Sequence, residues 1–153
     1  MEGMTIQRLP KREDPQMVPQ PVSGEPGLYR VDATWGTIQP MHAADGVVTV
    51  GEREVIRHLE RGLPVVDARS RAEYEAGTIP GARSLPHDDV AERSAELDRR
   101  QQTVFFCNGP QCGQSPDAIR TLLDAGYPPS GILYYRGGVH DWLTLGLPLT
   151  APG

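Results

Sequence analysis

The stretch Thr103-Val104-Phe105-Phe106-Cys107, followed by Asn108-Gly109-Pro110-Gln111-Cys112-Gly113-Gln114 and then Ser115-Pro116-Asp117, decides the fold class. Thr103, Val104, Phe105 and Phe106 are β-branched or aromatic, the types that suit a buried, pleated strand. The Ser-Pro-Asp triplet predicts a helix start, with Ser115 as N-cap, Pro116 at the first helical position and Asp117 in the first turn. Ile119, Leu122 and Leu123 then form an apolar face, and Ala125-Gly126 ends the helix. A short apolar strand running into a helix is the unit from which parallel α/β sheets are built.

The same alternation continues on both sides of this unit. Upstream, residues 51–62 carry Val55, Ile56 and Leu59 at helical spacing, with Gly62 and Pro64 as the stop. Residues 63–67 (LPVVD) read as a buried strand, and Ser70 with Glu73 forms a capping-box signal for a helix closed by Gly77. Residues 82–85 predict another strand, and residues 88–98 predict a helix around Val90, Ala91, Ala95 and Leu97. Downstream, residues 131–135 (GILYY) predict a strand, followed by a Gly137-Gly138 turn and a short helix with Trp142 and Leu145. The class is α/β, a parallel sheet with helices on both faces, over residues 49–150. Residues 1–27, with Pro10, Pro15, Pro19, Pro21 and Pro26, read as a flexible tail that buries too little apolar surface to offset its ordering. Residues 28–48 carry Leu28, Tyr29, Val31, Trp35, Ile38 and Met41 without a period, and read as an irregular covering arm.

In open α/β sheets, ligands gather beyond the C-terminal ends of the strands. Cys107 ends the strongest strand, and the loop behind it leads into a helix N-terminus. Backbone N–H groups of such a loop, curled inward, make a nest that favours negative charge, and the helix dipole adds to it. Cys107 at its base is therefore expected to have a depressed pKa, against about 8.5 for a free thiol. No charged side chain occurs from Gln101 to Pro116. That argues against phosphate-ester or arsenate chemistry, which draws on a fixed arginine.

Bulk properties narrow the field further. With 153 residues the chain holds one domain plus an extension, and 20 acidic against 15 basic residues give a net charge of −5. Such a balance lacks the positive field that nucleic acid or anionic membranes require. No run approaches the roughly 20 apolar residues of a membrane helix. The N-terminus has no secretory apolar core, so the expected location is the cytoplasm. There a structural disulfide is disfavoured, and two cysteines in one loop point instead to reactivity or metal binding. His42, His58, His87 and His140 are scattered, and none stands at zinc-ligand spacing from a cysteine, so no metal and no cofactor are expected.

Several motifs carry a family resemblance. Asp67-Ala68-Arg69, Glu73-Tyr74 and Gly77-Thr78-Ile79-Pro80-Gly81-Ala82 resemble the first signature of the rhodanese family. Val104-Phe105-Phe106-Cys107-Asn108-Gly109-Pro110-Gln111-Cys112 resembles the active-site strand and loop of a subgroup of it. Ala125-Gly126-Tyr127, Arg136-Gly137-Gly138, Trp142 and Gly146-Leu147-Pro148 resemble the remaining signatures, in the family's order. The resemblance implies a five-stranded parallel sheet and a ping-pong sulfurtransferase. In that reading Cys107 takes a sulfane sulfur from a donor such as thiosulfate, polysulfide or a persulfide. It holds the sulfur as a persulfide and passes it to a thiol, to cyanide or to a protein acceptor. The backbone of residues 108–114 would stabilise thiolate and persulfide alike. Two departures stand out: Thr78 replaces the family's usual histidine, and the loop is longer and uncharged, which weakens thiosulfate, a dianion, as donor.

Each residue also has a plainer reading. Cys112 is either a loop residue or a resolving thiol that forms an internal disulfide with Cys107. Asp67 and Arg69 are read as a pair that fixes loops near the site. Ser115 is read as a cap first and a site donor second, Gly137 and Gly138 as turn formers, and Trp142 as core. His140 is read as a solvated surface residue rather than one at the pocket rim. The rival to the enzyme is a non-catalytic module of the same fold that binds a partner or senses redox state through Cys107 and Cys112.

Overall fold

The computed structural model describes residues 3–7, 10, 18–31 and 37–152. Among these residues the strands are β1 (Gln20–Pro21), β2 (Tyr29–Arg30), β3 (Val48–Thr49), β4 (Val65–Asp67), β5 (Arg83–Ser84), β6 (Thr103–Phe106) and β7 (Ile132–Tyr134). The helices are α1 (Glu52–Glu60), α2 (Arg71–Ala76), α3 (Val90–Arg93), α4 (Gln114–Asp124) and α5 (Gly138–Thr144). Strands β3 to β7 form one parallel sheet in the order β3-β7-β6-β4-β5, as the α/β reading expects. The chain leaves β4 towards β5 but leaves β6 towards β7, in opposite directions. The crevice between the C-terminal ends of β4 and β6 is therefore the topological switch point, where ligands of such sheets bind.

All four residues of β6 are buried, as a central strand covered on both faces requires. Phe105 packs with Ala118, Ile119 and Leu122 of α4 on one face, while Val104 and Phe106 pack with Val55 of α1 and Val139 and Trp142 of α5 on the other. By the same alternation Cys107 falls on the α4 side. Trp142 is core, and its Nε1 donates to Pro148 O at 2.7 Å.

Three expectations need correction. The helix expected over 88–98 is broken into 3₁₀ turns at His87–Asp89 and Ser94–Glu96 around the four residues of α3. Only Val90 and Leu97 are buried there, too sparse an apolar stripe to hold one regular helix. The fifth strand, β3, lies at the end of the stretch read as an irregular arm. It is a two-residue edge strand with Val48 turned to solvent, so it leaves no period in the sequence. Finally, α4 starts one residue before Ser115, with Gly113 as N-cap, and no side chain caps it. Proline is tolerated anywhere in a first turn, so Pro116 fits this frame as well as the expected one.

At the N-terminal side, β1 and β2 form an antiparallel hairpin that crosses the boundary drawn at residue 27. Pro15 and Trp35 lie outside the described residues. At the other end, Thr150 and Thr78 exchange backbone hydrogen bonds of 2.8 and 2.9 Å, closing the domain.

Candidate functional site

Two helix starts and one long loop meet at the end of β6. The earlier start of α4 turns Ser115 from a cap into a ligand of sulfur. Its backbone N–H, one of the unpaired donors of the first turn, points at Cys107 Sγ at 3.3 Å, and its Oγ lies 3.0 Å from the same atom. The Cys107 thiol donates to Cys112 O at 3.5 Å. From the other side, α5 closes on the loop backbone: Val139 N–H donates to Cys107 O at 3.0 Å and His140 N–H to Asn108 O at 2.8 Å. Gly138, at φ +59°, is more than a turn former, since a Cβ there would overlap Cys107 O and sit 2.8 Å from Gly109 N. His140 itself is half-buried, with Nδ1 3.1 Å from Asp141 Oδ1.

The charge state differs from the expectation. Cys107 is 2% exposed, and burial pushes its thiol well above its ordinary pKa, with Cys112 adding to the rise. The two contacts from Ser115 oppose this and do not overcome it. Cys112, also buried, is instead pushed down to about 7. The hydrogen bond from Cys107 is the main cause, helped by the N–H groups of Gln114 and Asn108, while burial and the Glu73 carboxylate work against it. The nest expected beneath Cys107 is thus spent on Cys112. The pair is best regarded as one coupled acid whose first charge settles on the better-cradled sulfur.

The rest of the loop is held by its ends. Cys112 N–H returns to Gly109 O at 3.0 Å, and the Cys112 thiol donates to Gln114 Oε1 at 3.3 Å. Gly113 O accepts Asp117 N–H at 3.0 Å, while Pro110 and Gln111 are half-buried at the outer bend. Across the switch point, Arg69 is 1% exposed and forks onto Asp67, Nε to Oδ1 at 3.0 Å and Nη2 to Oδ2 at 2.8 Å. It also donates to Gly77 O and, through Nη1, to Asn108 Oδ1 at 3.2 Å. Thr78 Oγ1 donates to Asp67 Oδ2 at 2.8 Å. The pair therefore braces the loop through Asn108, and among the described residues no hydrogen bond from Arg69 reaches a thiol.

Three participants escaped the sequence reading. Glu73 sits where the capping box placed it, and Ser70 Oγ accepts its N–H at 3.2 Å. Its Oε2, however, accepts Asn108 Nδ2 at 2.9 Å, which the local motif could not reveal. Gln39, from the arm, donates its N–H to Pro110 O at 2.8 Å and receives Arg136 on its carbonyl, from Nε at 3.0 Å and Nη2 at 2.8 Å. The arm thus lies over the loop and is pinned by a cation from the end of β7. Backbone contacts of this kind carry no side-chain signature.

The fold and site define an α/β domain with a buried cysteine at the end of its central parallel strand, beside the topological switch point and under the N-terminus of the helix that follows. The chain belongs to the family described as "Rhodanese-like domain", whose profile matches residues 52–145. It is 38% identical over 97 residues to the "HTH-type transcriptional regulator Rv0324" of Mycobacterium tuberculosis, covering 63% of this chain and 42% of that protein. It is 34% identical over 88 residues to a "Sulfurtransferase" of Allochromatium vinosum, covering 58% of this chain and 78% of that one. Among solved structures, the "Thiosulfate sulfurtransferase" of Pseudomonas aeruginosa matches with a TM-score of 0.57 and 29% identity, over 70% of this chain and 21% of that chain. The chain thus spans less than half of the Mycobacterium and Pseudomonas proteins. No described helix is long and apolar enough to cross a membrane.

Proposed function

We propose that the protein is a sulfurtransferase in which Cys107 carries the sulfur. The Cys107 thiolate attacks the outer sulfur of a donor, the donor's S–S bond breaks, and the leaving group departs with the electron pair. Cys107 is left as a persulfide. An acceptor thiolate then attacks the outer sulfur, and Cys107 leaves as thiolate, so no external electrons are needed. The observation that carries this reading is the Ser115 N–H and Oγ, both directed at Cys107 Sγ from the first turn of α4. They supply preorganised donors at the atom where charge develops and departs.

The uncharged loop favours a donor presenting a single negative charge, a persulfide or a protonated polysulfide, over thiosulfate, because no side chain between Gln101 and Pro116 can neutralise a second one. The acceptor is a thiol, small or protein-borne, and the compartment is the cytoplasm. Initial rates with a polysulfide donor and a thiol acceptor should give parallel double-reciprocal lines, abolished in Cys107→Ser. Intersecting lines, or turnover that survives that change, would reject the reading.

One observation favours a second reading. Cys107 Sγ lies 3.5 Å from the carbonyl oxygen of Cys112, and a relative is named a transcriptional regulator. A redox-sensing module would form a Cys107–Cys112 disulfide on mild oxidation and show no sulfur turnover.

A further inference from the structure

The Tyr134 hydroxyl is completely buried and has no hydrogen-bond partner among the described residues. Burying a hydroxyl unpaired is unfavourable, so a fold that retains one invites a functional account. Of the other orphaned groups, Thr103 Oγ1 and the Tyr127 hydroxyl lie together at the opposite end of β6, far from the loop. Tyr134 is differently placed. It pairs in register with Phe105 and packs in the same cluster, and Cys107 follows two residues further along that face. Its hydroxyl feels the charge of both Cys107 and Cys112. Burial, reinforced by those thiols, pushes its pKa upward, so the group remains a proton donor beside an anionic sulfur.

The Ser115 N–H and Oγ already serve Cys107 Sγ, and the N–H groups of Asn108 and Gln114 act on Cys112, lowering its pKa. A persulfide on Cys107 adds one sulfur atom carrying a negative charge, and that atom needs a donor of its own. We infer that Tyr134 is a catalytic residue whose hydroxyl, unpaired while Cys107 is a thiol, donates to the outer sulfur of the Cys107 persulfide. This rests on Cys107 being the sulfur carrier. The tyrosine keeps its proton throughout; it forms and breaks no covalent bond, and lowers the energy of the loaded state relative to the empty one.

Tyr134→Phe removes only the oxygen. Wild type and variant would be equilibrated with a fixed ratio of glutathione persulfide to glutathione, and the loaded fraction read by intact mass. Tyr127→Phe, at the distant orphaned hydroxyl, serves as control. The expected result is a loaded-to-empty ratio about tenfold lower in Tyr134→Phe, the size of one charge-assisted hydrogen bond, with Tyr127→Phe matching wild type. The empty Tyr134→Phe protein should melt at or above the wild-type temperature, because a group with no partner is lost. Equal loading of Tyr134→Phe and wild type would overturn the inference and leave the carrier role of Cys107 standing. A lower melting temperature of the empty variant, or an equal loading defect in Tyr127→Phe, would also overturn it. Failure of wild type itself to load would overturn both the inference and the reading beneath it.

Discussion

At the scale of single residues, the site solves a problem of charge. In the proposed function the Cys107 thiol must ionise to attack, yet it is buried and its pKa is pushed well above the ordinary value. Of the two, Cys112 is the more acidic, pushed down to about 7 chiefly by Cys107 and helped by the N–H groups of Gln114 and Asn108. Two of the causes that raise Cys107, a hydrogen bond and a charge, come from Cys112 and vanish with its sulfur. Cys112→Ala is therefore expected to move the pH at which Cys107 reacts with iodoacetamide downward, although burial keeps it above a free thiol. The sign follows because a neighbouring thiolate penalises a second one, and its removal makes ionisation easier. A midpoint that stays fixed or rises, followed by mass-resolved alkylation, would contradict the coupling. Cys112 stood open between spectator and resolving thiol in the sequence, because spacing fixes reach but not which sulfur receives the loop's N–H groups.

At the scale of elements, an arm lies over the site's loop, and a guanidinium helps to hold it there. Arg136, at the end of β7, holds the Gln39 carbonyl, and Gln39 in turn holds Pro110. Arg136→Ala should release this strap and speed alkylation of the two loop cysteines by about tenfold, the worth of one charge-assisted hydrogen bond. Unchanged alkylation, with unchanged melting, would show that access does not depend on it. These elements were unequally legible. The strands at 103–107 and 131–135 were plain because buried strands are written in apolar side chains. Ser115 was read as a cap first and a site donor second, and the structure shows the contact with Cys107 without the cap. Ser-Pro-Asp is a cap signal, and the frame was set instead by Gly113 and by the pull of Cys107 on the Ser115 N–H. The arm was illegible because Gln39 acts through its backbone, and β3 because two residues at an edge show no period. Tyr134 was visible as strand, while its unpaired hydroxyl depends on what surrounds it in three dimensions.

At the scale of the whole molecule, the sheet order places the crevice between β4 and β6, and the Asp67–Arg69 pair spans it from loop to loop. This pair connects the end of β4, Gly77 beyond α2, Thr78 and Asn108, so it joins the site to the fold. Arg69→Ala strands a buried carboxylate and should cost about 3–5 kcal/mol of stability in urea denaturation. A loss below about 1 kcal/mol would mean that water or a rearranged donor replaces the guanidinium. The signatures Asp67–Arg69, Cys107–Cys112 and Arg136–Gly138 follow the ends of β4, β6 and β7, which the sheet brings to one edge, whereas Ala125-Gly126-Tyr127 closes α4 at the other end. The central claim, that Cys107 carries sulfur, is tested most directly by intact-mass spectrometry of the reduced protein. The protein would be exposed to polysulfide, and separately to thiosulfate, without reductant. The account predicts a gain of about 32 Da, larger with polysulfide and absent in Cys107→Ser. No adduct with either donor, from a protein whose Cys107 still reacts with alkylating reagent, would contradict it.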